Sequence, residues 1–185
     1  TTGGAAAALD VSVSQASRFL RTLEARDLAR HVRYGLWIVG PGSVDPRTLI
    51  EDITRPYPAY VSFTSALNAH GMIDQAPREI SVASLEGAKR VTTALGTYAI
   101  HHLPPALFGG WIERDGVKLA RPEKAILDLA YVSAVHGGRP RRVPELELPA
   151  GFDRHELDHW LSRIESPRVR TLTSPGERLV AMLDA

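Results

Sequence analysis

The chain contains no cysteine. That excludes disulfides, thiolate zinc sites and cysteine nucleophiles together, and it fits a reducing compartment. Nowhere does an apolar run approach the roughly 20 residues a membrane-spanning helix needs, and the first residues lack the basic-then-apolar layout of a secretory leader. A cytoplasmic protein with no membrane partner is expected. Lysine is scarce, standing only at 89, 118 and 124, so nearly all positive charge sits on arginine. A glycine-rich phosphate loop is also missing, because Gly109-Gly110 and Gly137-Gly138 lack the flanks such a loop requires. No catalytic set assembles, so neither an enzyme nor a cofactor is expected.

Metal ligation finds equally little support. His101 and His102 are neighbours on an expected strand and point to opposite faces, which keeps them from sharing one ion. His155 and His159 stand at i,i+4, but no third ligand accompanies them. No metal site is expected.

What is present is an ordinary globular composition, 44% hydrophobic and 23% charged over 185 residues, enough for a small module followed by a medium-sized one. The net charge is only +1, and its distribution is more telling than its sum. Residues 1–42 carry five arginines (Arg18, Arg21, Arg26, Arg30 and Arg33) against three carboxylates (Asp10, Glu24 and Asp27), whereas the remaining 17 basic and 18 acidic residues nearly cancel. Positive charge is thus concentrated where phosphate neutralisation would use it.

The element pattern explains that concentration. Residues 5–9 are strong helix formers, and the polar stretch Asp10-Val11-Ser12-Val13-Ser14 stops the helix. Ser12 or Ser14 caps a second helix, in which Ala16, Phe19, Leu20 and Leu23 fall at i, i+3, i+4 and i+7 as one apolar stripe. From Leu28 to Val39 the composition turns β-branched and aromatic with Gly35 at the bend, which reads as a hairpin. Helix, turn, helix, hairpin is the winged helix-turn-helix order, assigned to residues 1–42 with Gly40-Pro41-Gly42 opening a linker. The chain begins so near the turn that the first helix of a complete winged helix is expected to be missing.

Residues 43–185 read as a larger mixed α/β domain, giving an α/β (α+β) fold class overall. Tyr60 to Leu67 leads into a helix that Gly71 ends. Glu79–Ser84, Thr97–Leu103 and Gly110–Leu119 read as strands, the last folded back at Asp115-Gly116, a pair suited to a type I′ turn. Pro122 opens a helix with Ala125, Ile126, Leu129 and Ala130 on one face. Two more helices are expected near Arg154–Ile164 and Pro175–Leu183. Glu123 is assigned to the helix dipole, and Lys124 with Asp128 to an i,i+4 ion pair on the exposed side.

On the second helix Ser14, Arg18, Arg21 and Thr22 lie opposite the apolar stripe, with Gln15 and Ser17 on its flanks. Arginine suits guanine edges, glutamine suits adenine, and hydroxyls serve either bases or phosphates. Any solvated helix exposes similar groups, so the reading rests on the whole helix-turn-helix and hairpin unit. Arg30, Arg33 and Tyr34 on the hairpin are candidates for phosphate or minor-groove contact, with His31 taken as a surface residue. Arg139, Arg141 and Arg142 form a second basic run, either a solvated loop or a contact to DNA or to an acidic protein.

Asp10-Val11-Ser12 through Leu23 with Tyr34-Gly35-Leu36-Trp37-Ile38-Val39 resemble the N-terminal winged helix of the AbiEi antitoxins of type IV toxin–antitoxin systems. Tyr60-Val61-Ser62, Ala66-Leu67, His70-Gly71, Ile73, and Ala120 with Pro122-Glu123-Lys124-Ala125 and Leu127-Asp128-Leu129 resemble that family's downstream stretches. Arg121 departs from them, since the family carries a small residue there. The resemblance implies a transcriptional repressor that binds DNA upstream of its own operon, as a monomer or a DNA-induced dimer, and counters a nucleotidyltransferase-like toxin through its larger antitoxin domain. The alternative is a module that neutralises a toxin by direct contact, its winged helix being vestigial.

Overall fold

The computed structural model describes residues 1–136 and 146–173. Arg139, Arg141 and Arg142 and the helix expected at Pro175–Leu183 fall outside them. The described residues form seven helices and eight strands in two sheets, a mixed α/β fold. Two compact units arise: one from Thr1–Pro46 together with Thr92–Gly96, the other from Arg47–Val91 and Thr97–Ala185.

In the first unit, α1 (Thr2–Leu9) ends at Asp10 in the left-handed region, and α2 (Val13–Glu24) begins at once. Ser12 caps α2 through a reciprocal box: its hydroxyl accepts from the Gln15 amide at 3.3 Å, and the Gln15 side-chain oxygen accepts from the Ser12 amide at 2.9 Å. Ala16 and Leu20 are buried, whereas Phe19 of the expected stripe is 49% exposed. This corrects the sequence reading: Phe19 and Leu20 lie on opposite sides of Ala16, about 60° one way and about 40° the other at 100° per residue, and only the Leu20 side is covered. Strands β1 (Ala29–Arg33) and β2 (Leu36–Val39) pair antiparallel. The Val32 carbonyl accepts from the Ala94 amide at 3.2 Å, which ties the segment Thr92–Gly96 into this unit.

A six-stranded sheet is ordered β5-β6-β4-β3-β8-β7, and all of it except the Thr92–Gly96 end of the β5–β6 connection belongs to the second unit. Its strands are β3 (Ala59–Val61), β4 (Ile80–Ser84), β5 (Lys89–Thr93), β6 (Gly96–His102), β7 (Trp111–Arg114) and β8 (Val117–Ala120). The pairs β4/β6 and β3/β8 are parallel, while β3/β4 and β7/β8 are antiparallel. Asp115 and Gly116 both have positive φ (52° and 75°), the requirement of the tight turn expected there. Central β3 is buried along its whole length.

The helices are α3 (Ile50–Thr54), α4 (Phe63–Ala69), α5 (Pro122–Val135), α6 (Arg154–Ser162) and α7 (Pro167–Thr173). Helix α5 packs against α4, α6, α7 and β8. It is buried nearly all round, from Glu123 to Asp128 without a break. Surrounded this way, it has no exposed side in its first two turns, and the expectation of a solvated Lys124–Asp128 pair fails.

Candidate nucleic-acid interface

Ser14, Ser17, Arg18 and Arg21 follow the i, i+3, i+4, i+7 spacing, which places them along one stripe of α2. The stripe opens onto a cleft of about 790 Å³, and Tyr34, His31 and Trp37 of the hairpin line it as well. The start of α1 is tied to the hairpin: the Thr2 amide donates to the Gly35 carbonyl at 2.9 Å, and Trp37 Nε1 donates to Thr2 Oγ1 at 3.1 Å. The His31 ring packs on Trp37 with centroids 4.6 Å apart, and the His31 amide donates to Glu24 Oε1 at 3.0 Å. Helix and hairpin are thereby joined at the base of the cleft.

Among the described residues Arg18, Arg21, Arg26, Arg30 and Arg33 form no ion pair with a carboxylate. Tyr34, at the hairpin tip, is 97% exposed.

The structure gathers only part of the residue set marked in the sequence. Ser14, Ser17, Arg18, Arg21 and Tyr34 line the cleft, joined by His31, which its sequence context marks only as a surface residue. Gln15 is occupied by the capping box. Thr22 turns its hydroxyl back to the Arg18 carbonyl at 3.1 Å. Arg30 lines a separate depression with Glu24 and Asp27, and Arg33 is half-buried on β1.

A second polar cluster lies inside the larger unit, where sequence spacing alone points to the surface. Lys124 and Asp128 are each 0% exposed. Lys124 Nζ donates to Asp128 Oδ1 and, at 2.9 Å, to Tyr60 Oη. Asp128 Oδ2 accepts from Tyr60 Oη at 3.0 Å and from Ser62 Oγ at 2.7 Å. Aromatic faces enclose the ammonium, with Trp160 at 5.0 Å and Tyr60 at 5.5 Å to the ring centroids.

Burial pushes Lys124 below the ordinary lysine range and Asp128 above the ordinary carboxylate range, each opposed by the other's charge. Burial, then the Asp128 charge, raises the Tyr60 hydroxyl far above its usual value. The β3–α4 turn serves this cluster: Phe63 takes φ 55°, a conformation costing roughly 1–2 kcal/mol, and buried Ser62 just before it reaches Asp128. Through these bonds the buried cluster links β3 and the residue after it to α5.

Among the described residues no group of three or more His, Asp or Glu is placed to hold a metal ion, and no helix is long and apolar enough to cross a membrane. No family model matches the chain, and no curated protein matches it. Among solved structures it is similar to the solution structure of the antibiotic-resistance factor ANT(2'')-Ia, at 14% identity over 75% of this chain and 91% of that one. The TM-score is 0.32, a likeness too slight to carry a fold or a function.

Proposed function

We propose that the chain is a DNA-binding transcription regulator of the antitoxin type, with α2 entering a major groove and the hairpin acting as the wing. The observation that carries this reading is the stripe Ser14, Ser17, Arg18 and Arg21. Its two guanidinium groups have no carboxylate partner among the described residues, and it faces a cleft walled by the hairpin. Unpaired arginines beside small hydroxyls supply both phosphate neutralisation and base-edge donors. The downstream likeness to AbiEi antitoxins supports assigning the larger unit to countering a nucleotidyltransferase-like toxin, with the operator upstream of its own operon as the DNA partner.

The test is fluorescence anisotropy on that upstream duplex at two salt concentrations. Arg18→Ala with Arg21→Ala should weaken binding by about tenfold or more and flatten the salt dependence by roughly one unit for each phosphate no longer neutralised. A double variant that binds like the parent removes this reading. Exposure of Leu9 (49%), Phe19 (49%) and Leu28 (46%) favours a second reading, in which the N-terminal unit docks a protein. Co-purification with a toxin encoded beside it, surviving Arg18→Ala and Arg21→Ala, would distinguish the two.

A further inference from the structure

Within the proposed DNA-binding reading, on which this inference rests, we infer that the chain selects duplexes presenting guanines on neighbouring or next-neighbouring base pairs, read by Arg18 and Arg21. Of the side chains on α2 suited to base edges, Gln15 is the adenine reader by chemistry. Its carbonyl oxygen is held by the Ser12 amide at 2.9 Å and the Ser12 hydroxyl at 2.8 Å, and the residue does not line the cleft. A bidentate contact to adenine uses both the oxygen and the nitrogen of that amide, so the capping box takes away half of the pair.

Thr22 is likewise turned to its own helix. What remains on the stripe is Ser14, Ser17, Arg18 and Arg21. Serine discriminates poorly because its hydroxyl both donates and accepts. The two arginines are the fork-shaped donors that match the O6 and N7 acceptors of guanine.

Spacing then sets the register. Residues three apart on a helix are separated by about 4.5 Å along its axis, against roughly 3.4 Å between successive bases on a strand. Two arginines at that separation span one to two base-pair steps. Ser14 and Ser17 occupy the N-terminal part of the stripe, where recognition helices approach base edges most closely, and their small side chains let the backbone come near. Glu24, at the far end of the stripe, is the one acid lining the cleft. Its Oε1 is held by the His31 amide at 3.0 Å, so it lies at the hairpin base, beyond the two arginines.

The experiment selects bound duplexes from a random pool with the full chain, then measures affinity for the enriched sequence by anisotropy. The parent should enrich a motif with two guanines adjacent or one base apart. Arg18→Lys and Arg21→Lys keep the charge but lose the fork. Each should relax preference at one of the two positions by about ten- to a hundredfold, a larger effect than on its affinity for random duplex, since the charge is kept. Replacing the matching guanine by 7-deazaguanine, which lacks the N7 acceptor, should weaken the parent's binding more than that of the corresponding lysine variant, whose ammonium has no planar fork matched to both O6 and N7.

Enrichment of a motif without such a guanine pair, or lysine variants with unaltered preference, overturns the inference while leaving DNA binding intact. Failure to bind any duplex saturably overturns the DNA-binding reading and the inference with it.

Discussion

Asp128→Asn changes one oxygen to an amide group, yet it should rank among the most damaging substitutions in the larger unit. Asparagine keeps an acceptor for the Ser62 and Tyr60 hydroxyls but leaves the Lys124 ammonium, 0% exposed, without its anion. Removing one partner of a buried pair costs about 3–5 kcal/mol. In a chain of 185 residues, each kcal/mol lowers Tm by about 2–4 °C, so the expected fall is about 6–20 °C. Urea unfolding followed by tryptophan fluorescence reads this directly, because Trp160 lies over Lys124 Nζ and Trp111 stacks on Tyr60 at 5.0 Å.

A double-mutant cycle isolates the pair. Lys124→Met with Asp128→Leu removes both charges and should recover part of the loss, held back by the Tyr60 and Ser62 hydroxyls left without their acceptor, at roughly 1–3 kcal/mol each. An Asp128→Asn variant within about 1 kcal/mol of the parent, or single losses that simply add, would refute the reasoning.

Gly110→Ala should destabilise the same unit by about 1–3 kcal/mol, since its new Cβ would come within 2.9 Å of both Lys124 Cγ and Trp160 Cζ2 at a φ of 74°; an unchanged urea midpoint contradicts this. Burial chiefly, with His136 and Arg90 adding to it and Glu79 opposing, holds His101 below its ordinary value of about 6.5. The unfolded chain therefore binds more protons just below pH 6.5, so this contribution is intact above that pH and falls away as acid is added. His101→Gln should reduce the stability loss on going from pH 7 to pH 5, and an identical pH slope in the variant would count against the assignment. Tyr34→Ala, at a 97% exposed position, should leave Tm unchanged while weakening duplex binding; full affinity would exclude the hairpin tip from the contact.

Turn chemistry and helix punctuation are the most readable features of the sequence. Asp115-Gly116 folds β7 onto β8 as composition demands, and Pro122 begins α5 at its expected place. The surroundings of α5 are not readable, because Lys and Asp at i,i+4 have the same spacing whether water or protein encloses them. Only the packing of α4, α6, α7 and β8 around the helix decides. Strand β5 gives no clear sequence signal because Lys89-Arg90-Val91-Thr92-Thr93 is polar and mostly exposed, as an edge strand can be. Ser12 and Gln15 stand at the S-x-x-Q spacing of a capping box, so the signal that sets Gln15 apart from Arg18 is legible in the sequence, although residue type alone suits both to base edges.

The backbone bond from Ala94 to Val32 makes the N-terminal unit less portable than its position in the chain suggests. A graft carrying residues 1–46 alone into another protein would strip the Val32 carbonyl of its donor on the strand leading to Tyr34. Any engineered chimera that borrows this head must also supply a stand-in for the five residues from Thr92 to Gly96.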